Sequence, residues 1–110
     1  MAPQLLTDFE LMILLAILRA GDDAYGVVIA RELEATAKRG ALLGAVYAAL
    51  ERLERNGLVA SRLGEPTATR GGRAKRYFRV TSQGLRAVKD TRRALVALWT
   101  GVQKLEGSDT

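Results

Sequence analysis

The first half of the chain carries three stretches in which apolar residues recur every three or four positions, the period of an amphipathic α-helix. This spacing predicts helices over residues 7–20, 26–38 and 44–56. Thr7 and Glu10 have the spacing of a capping box at the start of the first helix. The apolar positions that define the three faces are Leu11, Leu14, Leu15 and Leu18, then Val28, Ile29 and Leu33, and finally Val46, Ala49, Leu50 and Leu53.

The pattern changes after Asn56-Gly57, a pair that favours the end of a helix because both residues tolerate the left-handed conformation. Residues 58–63 suit a short β-strand. Residues 76–80 alternate and are rich in aromatic and β-branched residues, so they suit a return strand. Residues 64–75 between them contain several glycines and a proline, which is typical of a loop. The pattern therefore predicts a β-hairpin with a long tip.

The last predicted helix covers residues 82–105, with Thr81 as its cap. At 1.5 Å per residue it would extend ~35 Å, which is long for so small a chain. Its apolar residues follow alternating spacings of three and four, as in a coiled coil, and Arg92 occupies one position of this seam. The apolar positions are Leu85, Val88, Leu95, Trp99 and Val102, and the stripe is widened by Leu98 and Leu105.

The order of elements is helix, helix, helix, strand, strand, long helix, with no internal repeat and no linker. This order predicts a mainly α fold with a small β-hairpin: a winged helix-turn-helix followed by a long C-terminal helix. Residues 1–81 would form the winged-helix domain. Residues 82–110 would form the C-terminal helix and tail, continuous with that domain as one structural unit.

Composition narrows the classes of function. The chain has neither cysteine nor histidine, which excludes disulfides, zinc sites built from those residues and catalytic triads that need histidine. No serine has a plausible base nearby in sequence, so we expect no enzyme activity, no metal and no cofactor. The apolar run at residues 11–18 is far shorter than the ~20 residues of a membrane span. With no visible signal peptide, we expect a soluble, cytoplasmic protein without a membrane partner.

The net charge of +5 is divided unevenly along the chain. Residues 1–57 hold 6 Lys/Arg and 8 Asp/Glu, which gives −2, whereas residues 58–110 hold 11 Lys/Arg and 4 Asp/Glu, which gives +7. A basic half on a small domain points to a polyanionic partner. The alternative is that these charges only keep the surface soluble, and composition alone does not choose between the two.

The third predicted helix has little bulk on the outer side of its first turns, residues 44–48. Small residues let a helix approach the floor of the DNA major groove, while Tyr47 and Arg52 reach phosphates or base edges. The alternative for Tyr47 is half-buried packing. The alternative for Arg52 and Arg55 is pairing with the acidic residues beside them, and for Arg55 we prefer it. The DNA-binding residues predicted here are Gly44, Ala45, Tyr47, Ala48 and Arg52.

The hairpin carries the stronger signal for DNA binding, because residues 62–79 hold six basic residues and one acidic residue. Gly71-Gly72 gives the loop freedom to lie against a DNA backbone, and arginine is favoured in a narrow minor groove. The alternative is a solvated loop that protects the sheet edge, although a one-signed cluster fits that role poorly. The DNA-binding residues predicted in the hairpin are Arg70, Gly71, Gly72, Arg73, Lys75 and Arg76.

Four segments in this order resemble the PadR family of bacterial transcriptional regulators. They are residues 6–14, residues 24–30 with the pair Tyr25-Gly26, residues 44–59, and residues 71–81. The resemblance covers nearly the whole chain. Ala48 departs from it, since many members carry proline at that place.

The resemblance implies a homodimer held by the C-terminal helix, with two wings and two recognition helices on a pseudo-palindromic operator. It also implies a repressor, in some members responsive to small hydrophobic or aromatic molecules. Trp99 is the candidate effector-binding residue, although a packing role at the dimer interface is the better interpretation. The predicted interface residues are Leu85, Val88, Leu95, Leu98, Trp99 and Val102.

A second interpretation remains open at this point. The same fold class serves in some proteins as a protein–protein adaptor or binds RNA. An adaptor would more often show an apolar or acidic wing, and RNA binding usually needs exposed aromatic residues, for which only Tyr47 and Tyr77 are candidates.

Overall fold

A computed structural model describes residues 4–65 and 74–105. The element order is that predicted from the hydrophobic pattern, with one 3₁₀ turn, Gly21–Asp23, after the first helix. The elements are α1 (Asp8–Ala20), α2 (Gly26–Ala37), α3 (Leu43–Arg55), β1 (Val59–Leu63), β2 (Arg76–Val80) and α4 (Ser82–Trp99).

The helix ends follow the local signals in the sequence. At α1 the Thr7 hydroxyl accepts a hydrogen bond from the Glu10 amide, and the Glu10 carboxylate accepts one from the Thr7 amide, so the predicted capping box is present. At the end of α3 the chain turns at Gly57, whose φ of 78° lies in the left-handed region. At α4 the Thr81 hydroxyl caps the Gly84 amide.

The core lies between the first three helices and the base of the hairpin. The largest fully buried side chains are Ile13, Leu14, Ile29, Val46, Leu50, Leu53 and Leu58. The predicted faces of α2 and α3 contribute to this core, but α1 buries Ile13, Leu14, Ala16 and Ile17, so that only Leu14 of its predicted face lies inside. Phe78 on β2 and Ala87 on α4 close the core from the hairpin side. Leu15 and Leu18 of α1 remain more than two-fifths exposed, so α1 has an outer apolar side that the rest of the chain leaves uncovered.

β1 and β2 form an antiparallel pair with Val59 opposite Val80 and Leu63 opposite Arg76. The hairpin is joined to the start of α2 through an isolated bridge between Tyr25 and Tyr77. Next to this bridge, the Phe78 amide donates a hydrogen bond of 2.8 Å to the Ala24 carbonyl. The backbone before α2 therefore lies along β2 and fixes the orientation of the hairpin relative to the helices.

The end of α4 differs from the prediction, which extended this helix to residue 105. The helix ends at Trp99, so its 18 residues span about 27 Å at 1.5 Å per residue. The Thr100 hydroxyl donates a hydrogen bond to the Val96 carbonyl while its own backbone is extended, and Gly101 follows with φ of 89°. Val102 and Leu105 consequently lie in turns beyond the helix, and the periodicity of the stripe does not show this break.

Packing of α4 uses small residues at its first turns. A Cβ on Gly84 would collide with the Leu58 carbonyl, so this glycine permits close contact between α4 and the start of the hairpin. Thr91, the one buried polar residue of the described chain, donates to the Ala87 carbonyl and accepts from the Leu6 amide. The architecture is the predicted winged helix. Within residues 4–65 and 74–105, no helix is both long and apolar enough to cross a membrane.

Candidate nucleic-acid interface

One side of α3 faces the core and the opposite side is exposed along its whole length. Successive residues of a helix turn by about 100°, so the burial of Val46, Leu50 and Leu53 directs positions 44, 48 and 55 outward. All five residues predicted in this helix are exposed: Gly44, Ala45, Tyr47, Ala48 and Arg52. A Cβ added to Gly44 would meet no atom within 4 Å, so the protein's own packing does not require a small residue there.

Tyr47 combines the two interpretations that the sequence left open. Its side chain lies against the first residue of α2, where a Cβ on Gly26 would collide with the Tyr47 ring and hydroxyl. Tyr47 nevertheless remains 40% exposed. The glycine of the Tyr25-Gly26 pair therefore provides the space for Tyr47, which is half packed and half accessible at the junction of α2 and α3.

The stem of the hairpin carries alternating cations and aromatic rings. The Lys75 ammonium lies 4.4 Å from the centroid of the Tyr25 ring, and the Tyr25 and Tyr77 rings meet edge to face at 5.6 Å. On the far side, the Arg62 guanidinium lies 4.7 Å from the centroid of Tyr77. Tyr25 immediately precedes Gly26, so Lys75 contacts the residue next to the one on which Tyr47 packs.

Arg76 takes a different direction from Lys75, as expected for neighbouring residues on a strand. Its guanidinium donates to the Ser61 hydroxyl at 3.0 Å, and that hydroxyl donates to the Glu54 carboxylate at 2.7 Å. Glu54 belongs to the last turn of α3. The predicted site residue Arg76 thus lies beside the C-terminal end of α3 and connects the hairpin to it.

The two arginines of α3 depart from the local pairing that the sequence suggested. Arg52 is oriented towards α1, with its Nε 3.5 Å from a carboxylate oxygen of Glu10. Arg55 lies exposed beside Glu51 and Glu54, and within the part of the chain that the structure describes it forms no ion pair. Helical geometry makes Arg55 the more outward of the two, although the sequence interpretation preferred Arg52.

The remaining predicted hairpin residues, Arg70, Gly71, Gly72 and Arg73, lie outside the described residues. The structure connects α3 to Tyr25 and Lys75 through the packing of Tyr47 on Gly26, and we call the outer face of α3 with Tyr25 and Lys75 the recognition surface. Tyr25 was absent from the predicted site. The sequence signal that could have indicated Tyr25 is an aromatic residue followed by a glycine at the start of a helix, because such a glycine leaves space for a neighbouring side chain.

The predicted residues of the C-terminal helix form a separate surface. In α4, Leu85, Leu95 and Trp99 are exposed by 38%, 52% and 59%, while Val88 is partly buried against the core. Leu98 is exposed by 76%, and Val102, in the turn after the helix, by 39%. We call Leu85, Leu95, Val96, Leu98 and Trp99 the apolar stripe of α4.

Comparison with solved structures gives several with the same fold. A transcriptional regulator from Clostridium thermocellum has a TM-score of 0.71 and 24% identity, covering 88% of each chain. A PadR family transcriptional regulator from Eggerthella lenta has a TM-score of 0.68 and 27% identity, covering 91% of this chain and 85% of the other. Bacillus subtilis PadR in complex with operator DNA has a TM-score of 0.65 and 20% identity, covering 76% of this chain and 47% of that protein.

A comparison with curated protein sequences gives no match. The model of the PadR-like family of transcriptional regulators, however, matches residues 14–90, which include α2, α3, the hairpin and about half of α1 and of α4. Since this is more than half of the chain, the protein belongs to the PadR-like family of transcriptional regulators.

Proposed function

We propose that this regulator is a repressor that binds a pseudo-palindromic operator in a sequence-specific manner, as a homodimer in the cytoplasm. In this proposal the outer face of α3 enters the major groove and the hairpin contacts the flanking backbone. Gly44, Ala45 and Ala48 allow the close approach, while Tyr47, Lys75 and the arginines at 70 and 73 contact phosphates or the minor groove.

The observation that carries the proposal is that Tyr47 and Lys75 contact adjacent residues at the start of α2. Tyr47 packs on Gly26, and Lys75 contacts the neighbouring Tyr25, so α3 and the stem of the hairpin meet there. A helix narrow on its outer face beside a cationic stem matches the shape and charge of a groove bordered by phosphates. The operator DNA bound to the Bacillus subtilis relative supports the same kind of partner.

The apolar stripe of α4 supports the homodimer. Five large apolar side chains lie exposed on less than four turns of one helix, which is unusual for a surface that stays in water. Two copies packed along this stripe would bury it, and a two-fold axis would place the two recognition surfaces about one DNA turn apart, ~34–36 Å. Val102, beyond the end of the helix, would extend the contact.

A small hydrophobic or aromatic effector is the finer part of the proposal. Trp99 ends α4 and is 59% exposed, so in a dimer its indole would be available either to the partner helix or to a planar ligand. Binding between the two helices would change the spacing of the recognition surfaces, and that change would release the operator.

The experiment is fluorescence anisotropy of the purified protein on the DNA upstream of its own coding sequence, titrated with salt and with an unrelated competitor duplex. We expect binding that weakens steeply with salt, together with a preference for the upstream DNA over the competitor. Equal affinity for both duplexes would contradict operator specificity. No binding to either at low salt would contradict the whole proposal and would favour a protein-binding adaptor.

A further inference from the structure

Lys75 and Tyr25 form a pair in which the lysine contacts both the ring and the hydroxyl of the tyrosine. Neither a lysine that is only solvated nor a tyrosine that only packs would need both contacts. The Lys75 Nζ lies 4.4 Å from the centre of the Tyr25 ring and 3.4 Å from the Tyr25 hydroxyl oxygen. Along the axis from the ring centre to the hydroxyl, the ammonium therefore lies level with the oxygen rather than over the ring, close enough to donate a hydrogen bond to the phenol. A long flexible side chain is thereby held in one place.

The Tyr25 ring is itself fixed from several directions. Tyr77 packs against it edge to face at 5.6 Å, and the backbone of Tyr25 is bridged to that of Tyr77. Tyr77 keeps its position because Gly64 leaves room for it, since a Cβ on that glycine would lie 2.6 Å from the Tyr77 ring. The Arg62 guanidinium covers Tyr77 from the other side. The position of the Tyr25 hydroxyl is thus set by the hairpin as well as by α2.

The pair keeps unused hydrogen-bonding capacity, and Lys75 is exposed. An ammonium has three donors, and Lys75 directs one of them to the Tyr25 oxygen, which leaves two. Because the Tyr25 oxygen accepts from Lys75, its own hydrogen is available to donate to another group. Two donors of different residues, 3.4 Å apart and one of them charged, can bind neighbouring oxygens of a single anion.

We propose that Lys75 and Tyr25 together bind one phosphate of the DNA backbone, and that Tyr25 is therefore a DNA-contact residue. This inference rests on the proposed function, since it deepens how the recognition surface holds its duplex. The neighbourhood favours a backbone phosphate over a base, because neither residue of the pair belongs to α3, and the pair meets that helix only at the start of α2, where Tyr47 packs on Gly26. A phosphate at this point would border the groove that α3 occupies.

The test combines Tyr25→Phe and Lys75→Ala in a double-mutant cycle, with DNA affinity and its salt dependence measured by fluorescence anisotropy on the upstream DNA. Tyr25→Phe keeps the ring that holds Lys75 and removes only the hydroxyl. Tyr77→Phe is the matched control, because it removes a hydroxyl from the other ring of the same stack. Thermal unfolding of each variant establishes that the affinities compare folded proteins.

We expect Tyr25→Phe to weaken binding roughly tenfold per protomer, as for the loss of a hydrogen bond to a charged group. Since it removes no charge, the slope of log affinity against log salt should stay unchanged, whereas Lys75→Ala should flatten that slope by ~0.9 for each phosphate that is no longer neutralised. In the Lys75→Ala background Tyr25→Phe should cost less, because both groups bind the same phosphate. Tyr77→Phe should bind as the unmodified protein does.

Wild-type affinity in Tyr25→Phe, or full additivity of the two substitutions, would overturn the shared phosphate contact. So would an equal loss in Tyr77→Phe, which would mean that the phenols act only on the stability of the stem. These outcomes are distinguishable from failure of the proposed function, because in that case the unmodified protein would itself not bind the duplex.

Discussion

Two exposed surfaces of this chain have opposite chemistry. The recognition surface is built from small residues, phenols and cations, and its polar groups are held in place by neighbouring elements, as Tyr47 is by Gly26 and Lys75 by Tyr25. The apolar stripe of α4 is built from leucine, valine and tryptophan side chains that contact little of their own chain. The polar recognition surface is compatible with a chain that stays monomeric in water, whereas the exposed apolar stripe is unfavourable there.

Under the proposed function, the two surfaces bind partners of different kinds. Ordered cations beside a narrow helix face suit a rigid polyanion, whose charge provides affinity at long range. An exposed apolar stripe gains free energy only by being covered, and a second copy of the same helix supplies a matching stripe. The two surfaces should therefore be separable by mutation, so that a substitution on one leaves the partner of the other unaffected.

The largest effect should come from Leu95→Asp on the apolar stripe. An unpaired carboxylate in a closed apolar interface costs on the order of 3 kcal/mol or more, which corresponds to at least ~100-fold in dimer affinity. Leu95 is 52% exposed, so the fold of each chain should survive. Sedimentation should show monomers.

The matched control is Leu63→Asp, which introduces the same charge at a leucine of β1 that is 61% exposed. It should leave the dimer intact. A dimer that persists in Leu95→Asp, or one that is lost equally in Leu63→Asp, would contradict the assignment of the apolar stripe as the interface.

The second prediction concerns the narrow face of α3. Ala48→Leu adds bulk where α3 is proposed to approach the groove, and overpacking of a close contact costs about 1–3 kcal/mol, so operator affinity should fall roughly tenfold or more. Ala35→Leu makes the same change at an exposed position of α2 and should have no effect on binding. Both residues are good helix formers, so neither melting temperature should fall. Equal affinities of the two variants for the operator would contradict the proposal that α3 enters the major groove.

Particular residues show how much of the fold follows from the sequence. The caps at Thr7 and Thr81, the turn at Gly57 and the buried faces of α2 and α3 depend on local spacing, and the structure has each of them where the spacing predicts. The buried face of α1 was predicted wrongly, since of the four predicted leucines only Leu14 is buried. The end of α4 was missed because apolar spacing continues through Val102 and Leu105. The local preference of Thr100 and Gly101 ends the helix before the stripe does.

The candidate site was harder to predict from the sequence than the fold, because it depends on contacts between residues that are far apart in the chain. Arg52 turns to Glu10 of α1, forty-two positions away, rather than to its neighbours in α3. Tyr25 reaches Lys75 across fifty positions. The pattern identified which residue types were available on each element. The packing of α1 against α3 brings Arg52 to Glu10, and the bridge between Tyr25 and Tyr77 brings the residue before α2 to the hairpin.

The third prediction measures the charge that the recognition surface contributes. Lys75→Ala should flatten the slope of log affinity against log salt by ~0.9 for each phosphate released, hence ~1.8 for both wings of a dimer. Arg73→Ala, outside the described residues, should act in the same way. Arg79→Ala is the matched control, because Arg79 is an exposed arginine of β2, four residues after Lys75 and about 13 Å from it at ~3.3 Å per residue. A slope unchanged in Lys75→Ala, or flattened equally in Arg79→Ala, would place the wing stem away from the DNA.

The smallest effect should come from an ion pair that belongs to neither surface. Glu32 of α2 accepts hydrogen bonds from the Arg19 guanidinium of α1 and from the Thr36 hydroxyl. These hydrogen bonds, that of Arg19 foremost, hold the pKa of the Glu32 carboxyl below its usual range. Since the pKa in the folded state is the lower one, the stabilisation is fully present above the unfolded-state pKa of about 4.3 and is lost as the pH falls through the folded-state value.

Glu32→Gln should therefore lower the melting temperature slightly at neutral pH, and the gap between it and the unmodified protein should close in acid. The effect is small because an exposed pair gains little from its charges. Glu34→Gln, which removes a carboxylate from the same helix away from Arg19, should show no such closing gap. The dimer and its DNA affinity should not change. If Glu32→Gln weakened the dimer, the interface would have to extend from the apolar stripe into the groove of about 300 Å³ between α1 and α2, where Leu15 lies beside Glu32. In that case the exposed Leu15 and Leu18 of α1 would be part of the same interface as the apolar stripe of α4.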